Sequence, residues 1–256
     1  MIRLEHVTKY FGAKKVLDDI HLEIKKGETF VIVGFSGAGK SVTLKHLIQL
    51  LRPDVGRILI DGEDISQATG NALEHLRERF GMLFQEVALQ QWLSAGENVA
   101  LQLREKTDLS DADIKRRVDE KLKLVNLEDV YDLYPIALSG GMKKRVGLAR
   151  AIIMDPEIIL YDEPTAGLDP VTSRAIDQLI DRLRNKLNVT GVVVTHDLFS
   201  ALSIGTRIAM IYEGRIIEVS TPSAFIRSSN PVVKRFLEAQ YITKRGFWER
   251  EYNETK

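Results

Sequence analysis

Residues 34–41 read Gly34-Phe35-Ser36-Gly37-Ala38-Gly39-Lys40-Ser41. They fit G-x-x-x-x-G-K-[ST], a loop that binds phosphate when it joins a strand to a helix. Both flanks match. Thr29-Phe30-Val31-Ile32-Val33 is a short apolar run that reads as a buried strand, and Leu44, Leu47, Ile48 and Leu51 follow at helical spacing. The chemistry explains the residue types. Gly34, Gly37 and Gly39 permit backbone turns and close approaches that a Cβ would block. Backbone N–H groups and the helix N-terminus can then surround an anion. Lys40 brings a full charge to the outer phosphates, and the Ser41 hydroxyl can ligate Mg²⁺. A plain glycine-rich turn is the alternative, and it leaves the coincidence of loop and flanks unexplained.

The chain is 256 residues long, enough for one large domain or two small ones. It carries 36 basic and 36 acidic residues, so no basic excess points to nucleic acid. It has no cysteine, which excludes disulfides, thiolate metal sites and thiol chemistry. That agrees with a cytoplasmic protein. Met1 to His6 lack the apolar core of a signal peptide, and no run approaches the ~18 apolar residues of a membrane helix. The expectation is a protein that does not itself form a pore.

Outward from the loop, Ile2 and Leu4, then Ile20, Leu22 and Ile24, alternate with polar residues as half-buried strands do. Arg57 to Ile60 is another strand, closed by the turn Asp61-Gly62. From Leu73 to Asn126 the pattern becomes mostly helical. Ser110 marks one helix start, with Ile114, Val118, Leu122 and Val125 on its face. Ser139 opens another helix. Strands return at Ile158–Tyr161 and Val192–Val194, separated by a helix that Asp169-Pro170 begins. Residues 208–211 and 215–219 suggest a closing hairpin around Glu213-Gly214. Apolar strands alternating with helices predict a parallel sheet. The helical stretch 89–157 interrupts that alternation and reads as an inserted subdomain. Residues 223–256 look like an appendage.

Further positions carry chemistry. Asp162 ends an apolar strand and Glu163 follows it. Such an aspartate can hold Mg²⁺ through water, and its neighbour can orient or deprotonate an attacking water. Leu138-Ser139-Gly140-Gly141-Met142 offers a hydroxyl and two glycine N–H groups at a helix start. Gln85 and His196 each follow a short apolar run. Singly, each fits an ordinary role as well: an acidic turn, an N-cap, a polar strand end.

Together, the loop, Gln85, the Leu-Ser-Gly-Gly run, Asp162-Glu163, Leu168-Asp169 and His196 stand in the order and spacing of an ABC-type ATPase. The resemblance covers roughly residues 1–222. It implies an α/β fold of the P-loop NTPase type, with a RecA-like core (about 1–88 and 158–222), an antiparallel β-subdomain and the inserted helical subdomain (about 89–157). It implies ATP and Mg²⁺ as cofactors, and a second copy in a head-to-tail dimer with two ATPs between protomers. Ser139, Gly140 and Gly141 of one copy then face the γ-phosphate held by Lys40 of the other. Ser36, Ala38 and Val42 join Gly34, Gly37 and Gly39 around the nucleotide. Phe11 matches the aromatic that stacks on adenine, with Tyr10 as the fallback. Ser41, Gln85 and Asp162 match the Mg²⁺ positions. Glu163 matches the catalytic base, Asp169 the loop crossing the interface, and His196 the switch residue at the γ-phosphate.

Met142 departs from the glutamine usual in the family, and it cannot supply amide hydrogen bonds. The Leu-Ser-Gly-Gly-Met run resembles the MlaF branch, ATPases of lipid transporters linked to MCE proteins. So do Leu83-Phe84-Gln85, Ala88-Leu89, Glu97-Asn98-Val99-Ala100 and Asp169-Pro170-Val171-Thr172. That branch implies an MlaE-like permease, a small STAS-domain protein and an MCE protein as partners. It also implies a peripheral position on the cytoplasmic face of the inner membrane. A transporter for another substrate and a soluble ABC ATPase, such as an Fe–S assembly ATPase, are the other readings. Against a DNA-repair or chromosome protein, Lys40 and Ser139 are too close in sequence for a long coiled-coil insertion. The tail aromatics Tyr241, Phe247, Trp248 and Tyr252 suggest docking on the other protomer or a regulator. A helix over Val232–Leu237 packed on its own domain is the alternative for the part before Gln240.

Overall fold

The computed structural model of the chain describes residues 1–240. The chain opens with strands β1 (Ile2–Phe11), β2 (Lys14–Ile24) and β3 (Thr29–Val33). Helix α1 (Lys40–Leu47) leaves the glycine loop, followed by β4 (Val55–Ile60), β5 (Glu63–Asp64), α2 (Gly70–Glu78) and β6 (Phe80–Leu83). Three helices come next: α3 (Ala95–Lys106), α4 (Asp111–Leu124) and α5 (Gly140–Ala151). The alternation then resumes with β7 (Ile158–Asp162), α6 (Pro170–Leu187), β8 (Thr190–Thr195), α7 (Leu198–Ile204) and β9 (Arg207–Tyr212). Strand β10 (Arg215–Ser220) and helices α8 (Pro222–Phe225) and α9 (Pro231–Ala239) close the described chain.

Two sheets form. One is the antiparallel subdomain, in the order β2-β1-β4-β5. The other has the order β10-β9-β3-β8-β7-β6, with β10 antiparallel at one edge and the remaining neighbours parallel. Every residue of β3, β7 and β8 is buried, as expected for central parallel strands covered on both faces. Alternation along β3 divides the interior. Val31 and Val33 join one apolar cluster with Val146, Ala149, Ile176 and Leu179 from α5 and α6. Phe30 and Ile32 join the other, with Leu44 and Leu47 of α1 and Ile2, Leu4 and Ile58 of the antiparallel sheet. Burying each such side chain contributes roughly 1.5–3 kcal/mol.

Local signals decide the element ends. Ser110 caps α4, its Oγ accepting from the Asp113 N–H at 3.2 Å. Asp169 caps α6 through the N–H groups of Val171 and Thr172, both 3.0 Å, with Pro170 in the first turn. Ser94 and Glu97 form a reciprocal capping box at α3. Helix α1 is shorter than its apolar spacing predicts. Gln49 turns left-handed (φ 52°), and the Leu50 and Leu51 amides bond back to Lys45.

The packing runs past residue 222. Phe225, Val233, Phe236 and Leu237 are buried in the same cluster as β3 and α6. Helix α9 therefore belongs to the body that carries the phosphate loop, as the packed-helix alternative has it. Tyr241, Phe247, Trp248 and Tyr252 lie outside the described residues.

Candidate functional site

Strands β3, β6, β7 and β8 are parallel, so their carboxyl ends share one edge of the sheet. Ligands of open α/β sheets bind there. Gly34, Gln85, Asp162 and His196 each stand at or just beyond one of these ends. A cavity of about 460 Å³ opens among them, lined by Val16, the loop Ser36–Val42, Gln85, Glu163 and His196.

The glycine loop enters α1 at Gly39, whose φ of 108° suits only a residue without Cβ. A Cβ there would also meet Leu17 Cδ2 at 2.8 Å. The first N–H groups of α1 have no carbonyl partner in their own helix and point out of its end. They add partial positive charge to the cavity. Lys40 Nζ donates to the carbonyls of Gly34 (2.9 Å) and Phe35 (3.2 Å), and lies 3.9 Å from Glu163 Oε1. Burial pushes its pKa down, partly opposed by the charges of Glu163 and Asp162.

Ser41 Oγ donates to Asp162 Oδ1 at 2.8 Å. Burial raises the Asp162 pKa, and the Ser41 hydrogen bond works against that rise. A hydroxyl and a carboxylate, with the Gln85 amide nearby, form a hard oxygen set that suits Mg²⁺. Among the described residues there is no cluster of three His, Cys, Asp or Glu side chains that could hold a metal.

Glu163 stands in a left-handed conformation, φ 47°, a strained state for a residue with a Cβ. Its N–H donates to Val194 O at 2.9 Å. Its Oε2 accepts from the His196 backbone N–H at 3.2 Å and lies 2.9 Å from His196 Nδ1. The strain turns a buried carboxylate toward ammonium, imidazole and cavity at once. A carboxylate so placed can take a proton from water at a phosphate.

The other expected positions form a second group. Ser139 caps α5, its Oγ accepting from the Met142 N–H at 3.3 Å. Gly140 and Gly141 lie against Leu168 and Thr172, on either side of Asp169. Ser139, Gly140 and Asp169 are exposed and do not line the cavity. Phe11 is half-exposed at the end of β1, paired with Lys14, also away from the cavity lining. Tyr10 carries the Lys15 ammonium 5.6 Å from its ring centroid.

Sequence reasoning missed Val16, which walls the cavity from β2, and Lys144. The Lys144 side chain runs from α5 through the interior to the carbonyls of Gln85 (2.8 Å) and Glu163 (3.2 Å). A lysine on the apolar face of a helix was the available signal.

Comparison with known proteins gives the family. A family model described as ABC transporter matches residues 17–166. The chain is 40% identical over 254 residues to a probable ribonucleotide transport ATP-binding protein mkl of Mycobacterium leprae, covering 99% of this chain and 73% of that one. It is 39% identical over 240 residues to the intermembrane phospholipid transport system ATP-binding protein MlaF of Haemophilus influenzae, covering 94% and 91%. A methionine import ATP-binding protein, MetN 2 of Pectobacterium atrosepticum, is 43% identical, covering 85% and 66%. Among solved structures, a dimeric post-hydrolysis state of the ATP-binding cassette MJ0796 with ADP and Pi superposes with a TM-score of 0.79 at 36% identity, covering 87% and 99%. Cassette cbiO1 of Clostridium perfringens gives 0.82 at 30%, covering 93% and 94%.

The fold is that of a P-loop nucleotide hydrolase. The chain belongs to the ABC transporter ATPase family, and it binds and hydrolyses ATP as the ATPase of a transporter. Among the described residues no helix is long and apolar enough to cross a membrane.

Proposed function

We propose that this chain drives a transporter that moves phospholipid or another lipid between membranes. The observation carrying this is the end-to-end match to MlaF, which spans 94% of one chain and 91% of the other. The MetN 2 match is higher in identity but spans 66% of that protein. In this reading the chain sits on the cytoplasmic face of the inner membrane with an MlaE-like permease, an MCE protein and a small STAS-domain protein. Its docking face holds Trp92, Leu133, Tyr134 and Ile136, large apolar side chains left exposed around the start of α3. The backbone of Leu133 reaches that start, accepting from the Ala95 N–H at 2.7 Å. Clustered exposed apolar groups suit an interface.

Two copies close head to tail on two ATPs; that MJ0796 is dimeric in a post-hydrolysis state with ADP and Pi supports a dimer. The loop Ser36–Val42 and Lys40 hold the phosphates, with Phe11 against the adenine. Ser139, Gly140 and Gly141 reach the partner's γ-phosphate, and Asp169 lies where the two copies meet. Ser41, Asp162 and Gln85 would hold Mg²⁺, which supplies charge neutralisation at the transferring phosphoryl group. Glu163 takes the proton of the attacking water, while His196 fixes the carboxylate and faces the γ-phosphate.

The test is purification from membranes with mass spectrometry of what accompanies the chain. An MCE protein, a permease and bound phospholipid are expected. A methionine-binding protein and no lipid would replace this reading with an amino-acid importer.

A further inference from the structure

Helix α5 grips the loop after β6 along one row of its surface. Lys144, Gly147 and Arg150 stand three residues apart, so they form a ridge along one side of the helix. Lys144 Nζ donates to Gln85 O at 2.8 Å. Arg150 donates to Ala88 O at 2.8 Å and to Val87 O. Between them Gly147 admits the Val87 side chain, since a Cβ there would meet Val87 Cγ1 at 2.5 Å. The gripped turn is strained. Val87 (φ 59°) and Ala88 (φ 51°) are both left-handed, a conformation a β-branched residue avoids. Such conformations persist only where surrounding contacts over-determine them.

Lys144 does more than hold this turn. The same ammonium donates at 3.2 Å to the carbonyl of Glu163, itself left-handed, whose side chain lines the cavity. Lys144 is 4% exposed, and among the described residues its ammonium has no carboxylate ion-pair partner. A buried charge is costly unless polar groups compensate it. Two peptide carbonyls from two loops do so here, alongside the nearby charges of Glu86, Glu163 and Asp162, and the ammonium ties the loops together. If it only filled space, an unbranched apolar side chain of the same length would serve equally well.

We propose that Lys144 is a positioning residue for ATP hydrolysis, tying the carbonyls of Gln85 and Glu163 to α5 so that both cavity-facing side chains keep one geometry. It does not line the cavity. This rests on the roles assigned above to Gln85 and Glu163. Ser139, the group assigned to the opposite nucleotide, caps the same helix.

The test compares full-length wild type with Lys144→Met and Lys144→Arg. Lys144→Met should lower kcat at least tenfold, leave the KM for ATP within threefold, and leave the melting temperature unlowered. Lys144→Arg keeps donors for both carbonyls and should recover kcat to within threefold of wild type. A Lys144→Met enzyme with kcat within twofold of wild type overturns the proposal. So does a joint loss of kcat and melting temperature that arginine does not repair, because the lysine would then be structural only. Glu163→Gln measured alongside keeps the failures apart. Full turnover in that variant removes the base assignment, whatever the Lys144 series shows.

Discussion

Ser41 and Asp162 are 121 residues apart in the chain, and their side chains meet at 2.8 Å. One opens the helix after β3, and the other ends β7, two strands away across β8. The contact closes the oxygen set in which Mg²⁺ is proposed to bind. It depends on the parallel register that aligns Val33 with Thr195 and Val194 with Asp162.

Glu163→Gln should bind ATP with unchanged affinity and stop turnover. The amide keeps the shape beside His196, 2.9 Å from its ring nitrogen, but it cannot accept a proton from water. ATP should then hold the protomers together, since binding that needs the closed state favours it by mass action. Single-turnover ATPase assays and size-exclusion chromatography with ATP check both halves. Turnover near the wild-type rate would remove Glu163 from the base role.

Lys40→Ala should lose ATP binding. The ammonium is buried at the mouth of the glycine loop, and truncating one partner of such a charge pair costs roughly 2–5 kcal/mol. Calorimetric titration reads this directly, and unchanged affinity would contradict the phosphate role.

Phe236→Ala should destabilise the whole chain by about 3–5 kcal/mol, as deletion of a buried aromatic does. Phe236 is 2% exposed and meets the ring of Phe35, in the phosphate loop, edge-on at 5.2 Å. Denaturant unfolding measures the loss. Stability within 1 kcal/mol of wild type, about one-third of the smallest expected loss, would show that α9 is an appendage after all.

Asp177→Asn should raise stability at pH 8. Burial pushes the Asp177 carboxyl up to about 6, with Asp197 adding to the rise and the Ser200 hydroxyl opposing it. The folded chain thus holds this proton to higher pH than the unfolded chain does. That contribution is complete below the ordinary value of 3.8 and is lost as pH rises through about 6. A gap of two pKa units corresponds to at most ~3 kcal/mol. The asparagine stays neutral throughout. Its advantage in melting temperature should be largest at pH 8 and shrink as pH falls through 6. Equal melting temperatures at pH 8 would refute this.

Met142→Gln should fold normally and keep its ATPase rate within about tenfold, or ~1.4 kcal/mol. Residue 142 serves Ser139 through its backbone N–H, which any residue here supplies. Its side chain packs partly buried against the larger core rather than at the cavity. A greater loss in steady-state assays would assign the methionine a role of its own.

The family resemblance carried the antiparallel subdomain and singled out Gln85 and His196; the residues by themselves were enough for the strand–loop–helix unit with Lys40 and Ser41, the parallel sheet, the caps at Ser110, Ser139 and Asp169, and the acid pair Asp162-Glu163. Those features are local. Apolar periodicity, capping chemistry and glycine spacing act within a few residues, and the cavity motifs sit directly beyond strand ends. Only the tertiary structure decided which ends meet and what holds them. Nothing near Asp162 in sequence names Ser41 as its partner. No periodicity shows that Lys144 spans two loops, that Val87 and Glu163 are held left-handed, or that Phe236 lies against Phe35. Those facts follow from strand order and packing between distant segments, where a side chain's surroundings are set by the whole fold rather than by its neighbours in the chain.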